Sequence, residues 1–316
     1  MCGIVGAVAQ RDVAPILVEG LKRLEYRGYD SAGIATVFNH KVQRVRVAGK
    51  VRVLEEALGS APHVGGLGIA HTRWATHGIP SVRNAHPHMC GDSVALVHNG
   101  IIENHEKLRA EQIAAGHAFN SDTDTEVVVN RIHDYLQQGD DLLQAVRRTT
   151  ADLEGAYALG VLSTTCTDRL VVARRGSPLV IGLGIGENFV ASDVFALLPV
   201  TQRFIFLEEG DIAEITREEV RIYDDLGRAV IRPESVSELS ADAAEKSGYR
   251  HFMLKEIFTQ ARAVAETLEG RIDNGEVLDS TFGYDAKQVL DQVKSVTIVA
   301  CGTSFHAGLV ARYWME

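Results

Sequence analysis

The chain opens with Met1-Cys2-Gly3-Ile4-Val5-Gly6-Ala7-Val8-Ala9-Gln10 (MCGIVGAVAQ, residues 1–10), an apolar, glycine-punctuated run with a thiol at its head. A short apolar run ended by Gln10, Arg11 and Asp12 has the length of a buried strand. The same polar break argues against a secretory signal, which needs basic residues before a longer apolar core and a small-residue cleavage site. Cys2 itself has two readings. A free cysteine commonly packs as a small hydrophobe, here the first residue of a core strand. Alternatively, removal of Met1 by an aminopeptidase makes Cys2 the N-terminus. Its α-amine, with a reference pKa of about 7.7–8.0, can then take up the thiol proton, so that nucleophile and base share one residue.

Working outward from that strand, β-rich runs recur at Ala32 to Phe38, Lys41 to Val47, Gly68 to Trp74, Ser93 to Val97, Ala156 to Leu162, Leu170 to Ala173 and Phe189 to Ser192. Apolar residues at three- and four-residue spacing predict helices over Val13 to Glu25, Glu103 to Ala115, Thr125 to Gln137 and Leu142 to Leu153. Several neighbouring strands are separated by too few residues for a helical crossover, which favours antiparallel sheets. The class is α+β, with sheets apolar on one face and covered by helices.

With 316 residues, the chain is long enough for more than one folding unit. A net charge of −10 leaves no basic footprint, so nucleic acid is not an expected partner. The longest apolar runs are too short to span a bilayer, so no membrane segment is expected. Cys2, Cys90, Cys166 and Cys301 are scattered, with no C-x-x-C pair, which fits reduced thiols and a cytoplasmic location and gives no structural zinc spacing. His71, His77, His86, His88, His98 and His105 fall close together, yet no helical i, i+4 pair occurs. Hydrogen-bonded histidines are expected there rather than metal ligands.

Beyond Asp224 the composition shifts, and Arg232 to Lys246 reads as a boundary. Helical patterns resume at Phe252 to Leu268 and Asp285 to Val293, and Ser295 to Ala300 reads as a buried strand. That strand leads into CGTS (Cys301–Ser304), a small-residue turn opening a helix, fit to cradle a phosphate with backbone N–H groups and hydroxyls. A lone strand-turn-helix cannot build a parallel sheet, so this second domain is expected to be truncated after Glu316.

Four further stretches carry recognition chemistry: LEYRGYDSAG from Leu24, HTRWATHG from His71, VHNGIIEN from Val97 and SDTDTE from Ser121. With MCGIVG and CGTS, they resemble the glutaminase domain of the N-terminal-nucleophile amidotransferases, in the branch that aminates fructose 6-phosphate. The resemblance implies a four-layer αββα N-terminal-nucleophile hydrolase fold over residues 1–238. It further implies an interdomain linker with helices over 239–292 and the start of a sugar-isomerase domain over 293–316. L-glutamine is the implied substrate, and neither a metal nor a cofactor is required.

Roles follow residue by residue. Cys2 is the implied nucleophile, with Asn99 and Gly100 as the oxyanion hole, although Asn-Gly is also a common hairpin turn. Arg73 matches the holder of the substrate α-carboxylate, a task suited to a bidentate guanidinium. Asp124 matches the acceptor of the α-amine, with helix capping as the alternative for Asp122 and Asp124. Trp74, Thr76 and His77 share the glutamine-binding loop, and Arg27 supports the wall of the site. Gly28 and Gly33 read as backbone requirements. Thr303 and Ser304 resemble contacts to the sugar phosphate of fructose 6-phosphate, in a site that is only partial here.

The resemblance implies a homodimer for the full-length family, whose dimer contacts lie largely outside this stretch. One departure is Ala261, in FTQARAV, where the family usually has proline. Two other functions stay open at this level: the glutaminase half of a different amidotransferase, or a non-catalytic sugar-phosphate-binding fragment.

Overall fold

A computed structural model describes residues 2–60, 63–75, 78–237, 249–268, 271–273, 276–277 and 286–316. The chain divides into two compact units, Met1–Glu245 and Lys246–Glu316. In the first unit the strands are β1 (Gly3–Val8), β2 (Ser31–Phe38), β3 (Lys41–Ala48), β4 (Leu67–Arg73), β5 (His88–Cys90), β6 (Val94–Ile102), β7 (Gly155–Ser163), β8 (Cys166–Arg175), β9 (Val180–Leu183), β10 (Asn188–Ala191), β11 (Arg203–Phe206), β12 (Ile212–Thr216), β13 (Val220–Tyr223), β14 (Ala229–Val230) and β15 (Glu234–Val236). The helices are α1 (Ala14–Leu24), α2 (Val51–Ser60), α3 (His105–Ala114), α4 (Glu126–Gln137) and α5 (Leu142–Asp152).

The strands form an eight-stranded sheet in the order β15-β11-β9-β10-β1-β4-β2-β3 and a seven-stranded sheet in the order β14-β13-β12-β8-β7-β6-β5. Every pairing is antiparallel, with β1 in register against β4 (Val5 opposite Ala70) and β10 (Val5 opposite Ala191). The nucleophile candidate therefore stands at the head of a central strand.

Period-two alternation distributes the strands' side chains over separate cores. Val5 and Ala7 of β1 pack under α1 and α2, with Leu17, Leu21, Leu54 and Phe189. Ile4 and Val8, on the other face, meet Val97, Leu162, Leu170 and Val172 of the second sheet. That sheet's outer face, carrying Leu96, Leu159 and Val171, is covered by Val127, Val128 and Ile132 of α4 and by Leu142 and Val146 of α5. The result is a helix-sheet-sheet-helix stack, the layering that the resemblance implies; β1 is buried on both faces rather than on the one face the residue pattern suggests. Burying one such side chain stabilises by about 1.5–3 kcal/mol, so both outer helical layers are strongly held.

Local signals agree with these elements. Pro15 lies in the first turn of α1 and Lys22 and Arg23 in its last, suiting the missing N–H and the helix dipole. Asp141 caps α5 by accepting from Gln144 N–H at 2.8 Å. Helix α2 and the short strands β5, β9 and β11 to β15 were not anticipated. Strands of two to five residues show too little alternation to be distinguished from loops.

In the second unit, α6 (Phe252–Leu268) has the predicted bounds. The other elements among the described residues are an antiparallel pair of β16 (Ile272–Asp273) and β17 (Glu276–Val277), a short α7 (Ala286–Leu290) and α8 (Gly302–Met315). Asp285 and much of the expected 239–292 linker lie outside the described residues. The expectation of a buried strand over Ser295 to Ala300 is not met: the segment forms no strand and is exposed. A parallel strand needs neighbours to satisfy its N–H and C=O groups, and none lies beside it among the described residues.

Candidate active site

Strand β1 delivers Cys2 to the end of the sandwich, where β4 stops. The anticipated strand ran to Trp74, but pairing ends at Arg73, and the next peptide turns toward sulfur instead. The Trp74 N–H donates to Cys2 Sγ at 3.2 Å, and the thiol lies 3.5 Å from Trp74 O. The Trp74 indole is half exposed and meets Tyr29 edge-on, with 5.4 Å between ring centroids. Burial pushes the Cys2 thiol above its ordinary pKa, an effect opposed by the Trp74 hydrogen bond and by the positive charge of Arg73.

Asn99 and Gly100 lie inside β6, opposite Ala158 and Tyr157, and so do not form the hairpin turn their dipeptide permits. Asn99 Nδ2 donates to Cys2 O at 3.1 Å, which sets the amide beside the thiol's own residue. Gly100 has φ +132°, and a Cβ there would stand 2.0 Å from Ala156 O, so only glycine fits. Cys2, Arg27, Trp74, Asn99, Gly100 and Ala156 together line a cleft of about 410 Å³.

The wall behind Cys2 comes from YRGYDSAG. Arg27 pairs with Asp193 through Nη2 and donates from Nε to Tyr26 Oη at 3.0 Å. Gly28 packs where a Cβ would lie 2.7 Å from the Arg73 carbonyl carbon, and at Gly33 a Cβ would lie 2.1 Å from His86 O; both glycines are backbone requirements, as anticipated. Asp30 ties the end of β4 down. Its N–H donates to Arg73 O at 3.2 Å, and its carboxylate accepts from Ala75 N–H and from Ser31 Oγ.

Arg73 is buried beside the cleft rather than lining it. Its Nη2 donates to Gly78 O at 3.0 Å and its Nη1 to Ile79 O at 3.4 Å, with Asp30 Oδ1 at 4.0 Å. Asp124 is likewise buried and outside the cleft lining. Its Oδ2 accepts from Ile102 N–H at 2.8 Å, and α4 opens at Thr125 with no side-chain cap, so Asp124 does not serve as the helix cap. Asp122 instead accepts from Arg83 at 2.7 Å and Asn84 at 3.2 Å. Thr76 and His77 lie outside the described residues.

Of the clustered histidines, His71, His86, His88 and His98 are buried and hydrogen-bonded. His86 Nε2 and His98 Nδ1 each lie 2.9 Å from Thr125 Oγ1, and His88 Nε2 lies 3.1 Å from Thr123 Oγ1. Desolvation keeps His71, His86 and His88 neutral, with His71 pulled down to about 3. Among the described residues, no group of three or more His, Cys, Asp or Glu side chains is placed to hold a metal ion.

In the second unit, Thr303 and Ser304 stand exposed in the first turn of α8. Asp30 lies within YRGYDSAG, where the sequence pattern gives no sign of its hydrogen bonds to residues 73 and 75. Asp193 carries no sequence signal, because it reaches Arg27 only through folding. No described helix is long and apolar enough to cross a membrane.

A cysteine at the head of a central strand, set beside an inward amide in an αββα sandwich, defines the N-terminal-nucleophile class. The chain belongs to the glutamine amidotransferase domain family, whose sequence model matches residues 60–244. Among curated proteins, it is 59% identical over 316 residues to the glutamine–fructose-6-phosphate aminotransferase (isomerizing) of Shewanella oneidensis and 58% identical over 317 to that of Pseudomonas aeruginosa. Each alignment covers the whole of this chain and 52% of the relative, so the chain spans about half the length of the curated relatives it matches. The solved glutamine phosphoribosylpyrophosphate amidotransferase from B. subtilis, complexed with ADP and GMP, superposes with a TM-score of 0.62 at 25% identity, covering 71% of this chain and 49% of that one.

Proposed function

We propose that this chain hydrolyses L-glutamine to glutamate and ammonia through a thioester on Cys2, as the glutaminase half of a longer aminotransferase. The observation that carries this reading is the convergence of Cys2 Sγ, the Asn99 amide and Gly100 on one cleft. The thiol attacks the side-chain carbonyl of glutamine, forming the C–S bond as the carbonyl π electrons move to oxygen. Asn99 Nδ2–H and the Gly100 N–H donate to that oxyanion, a contribution typically worth about two to three powers of ten in rate for one donor. Collapse of the intermediate expels ammonia, and water then cleaves the thioester to release glutamate.

A thiol whose pKa is raised by burial needs a base close by. The α-amine that Cys2 gains on loss of Met1 supplies one: it takes the thiol proton and passes it to the leaving nitrogen. Arg73 is assigned to the substrate α-carboxylate and Asp124 to its α-amine, with Trp74, Thr76 and His77 on the same loop and Arg27 bracing the wall. In the longer protein, the ammonia aminates fructose 6-phosphate to give glucosamine 6-phosphate, and Thr303 and Ser304 form part of the sugar-phosphate site. The near-sixty per cent identity to aminotransferases along this entire chain favours that acceptor over the one used by the phosphoribosylpyrophosphate enzyme. The proposed domain limits stay at 1–238, 239–292 and 293–316, with a homodimer as the assembly of the longer protein and the cytoplasm as its location.

Intact mass and a glutaminase assay on wild type and Cys2→Ala test the mechanism. Wild type lacking Met1 is expected to release glutamate, while Cys2→Ala is expected to fall to background. Turnover retained in Cys2→Ala would sink the proposal.

A further inference from the structure

We infer that His71 is a positioning residue for the Asn99 amide, its Nε2–H holding Asn99 Oδ1 so that Nδ2 is presented to the reacting carbonyl. This inference rests on the glutaminase reading above and names a residue to which the site's chemistry had assigned no part.

Hydrogen-bond accounting fixes the arrangement. His71 Nε2 lies 3.0 Å from His98 O and 3.0 Å from Asn99 Oδ1. A backbone carbonyl can only accept, so Nε2 must carry the proton and is shared between the two oxygens. On its other side the Asn99 amide faces Cys2 O, a second acceptor, at 3.1 Å through Nδ2. A flipped amide would set oxygen against oxygen at Cys2 and N–H against N–H at His71. Tautomer and amide orientation therefore enforce one another, and one arrangement satisfies all four groups.

Burial makes the device independent of pH near neutrality. His71 is fully buried, and desolvation pulls it down to about 3, against the opposing effect of its two acceptors. The ring stays a neutral donor wherever the thiol can operate. Its Nδ1 is a buried acceptor without a hydrogen-bond partner, and the His71 and His86 ring centroids lie 4.1 Å apart. An unpaired buried acceptor is tolerated more readily than an unpaired N–H.

The consequence for the reaction is differential. An Asn99 amide free to rotate presents oxygen to the developing oxyanion for part of the time, which raises the barrier without loosening ground-state glutamine.

The test compares wild type, His71→Phe and His71→Gln in glutaminase kinetics, in inhibition by glutamate γ-semialdehyde and in inhibition by glutamate. The aldehyde adds the Cys2 thiol to give a tetrahedral adduct that uses the oxyanion donors, whereas glutamate binds without forming one. His71→Phe is expected to lose about 10- to 100-fold in kcat, with the glutamine KM and the glutamate inhibition constant within about threefold of wild type. Semialdehyde affinity should fall in step with kcat/KM. His71→Gln should recover most of the loss, because its side-chain amide can place an N–H near the position of Nε2. Wild-type kinetics in His71→Phe would overturn the inference. So would an equal loss of glutamate binding with no recovery in His71→Gln.

If His71→Phe fails to fold, His71→Met replaces it, and 15N NMR of histidine-labelled wild type reads the tautomer directly. A resonance placing the His71 proton on Nδ1 would overturn the inference on its own. Inactive wild-type protein would count against the glutaminase reading instead, and the NMR measurement would still decide the His71 tautomer.

Discussion

The backbone N–H of Trp74 points at the sulfur of Cys2 from 3.2 Å, so the residue beside the nucleophile acts through its main chain while its indole stays half exposed. Asp30 holds that main chain in place, gripping Arg73 O and Ala75 N–H on either side. Asp30→Ala would leave the Ala75 N–H without its partner, at a stability cost of about 1–3 kcal/mol. Residues 73–75 should loosen, the rate of Cys2 alkylation by iodoacetamide should change by about fivefold or more, and the glutamine KM should rise. An alkylation rate equal to that of wild type would remove Asp30 from the positioning of the thiol.

Asn99→Ala removes one oxyanion donor and one hydrogen bond to Cys2 O. Turnover should drop by about 10²- to 10³-fold, with a much smaller change in KM. Steady-state glutamate release measures both. A loss confined to KM would reassign Asn99 to substrate binding.

Gly100 sits at φ +132°, where a Cβ would run into Ala156 O. Gly100→Ala must strain the backbone or separate β6 from β7, and we expect a loss of about 3 kcal/mol or more in urea unfolding. Gly116, also at positive φ but with open space around it, provides the control. Gly116→Ala carries the strain without the collision and should cost less.

The buried histidines set an acid limit. His71, His86 and His88 have folded-state pKa values well below the ordinary value of about 6.5. Between the two values the unfolded chain binds protons that the folded chain refuses. Stability is therefore fully present above about pH 6.5 and falls as pH drops, by about 1.4 kcal/mol per pH unit for each such histidine. Thermal melts at pH 7.5 and 5.5 should differ markedly, and replacing one histidine by an uncharged residue that still folds should flatten the slope. A melting temperature that rises on acidification would contradict the burial of this network.

Much of the sandwich was legible because long elements carry their own periodicity. The β-rich run Ala32 to Phe38 is buried on both faces of its sheet, and the three-four spacing in Thr125 to Gln137 reports the face that α4 buries. Strands such as Val180–Leu183 and Arg203–Phe206 are too short to show a period and are paired only because neighbours already stand beside them. The Asn99-Gly100 dipeptide permits a hairpin turn, but its pairing with Ala158 and Tyr157 puts it inside β6, which no local propensity could have decided. Ser295 to Ala300 went the other way: an apolar β-rich run formed no strand where, among the described residues, no partner strand adjoins it.

By itself, the sequence determined the longer strands and helices of the first unit and the residue types a thiol-dependent amidase requires, because these reside in composition and spacing. Tertiary structure alone decided which groups meet. Cys2 touches Trp74, Asn99 touches His71, and Arg27 pairs with Asp193 across 166 residues of chain. Hydrogen-bond direction, tautomer and desolvation depend on atoms brought within about 3 Å by packing, and no one-dimensional pattern encodes that distance.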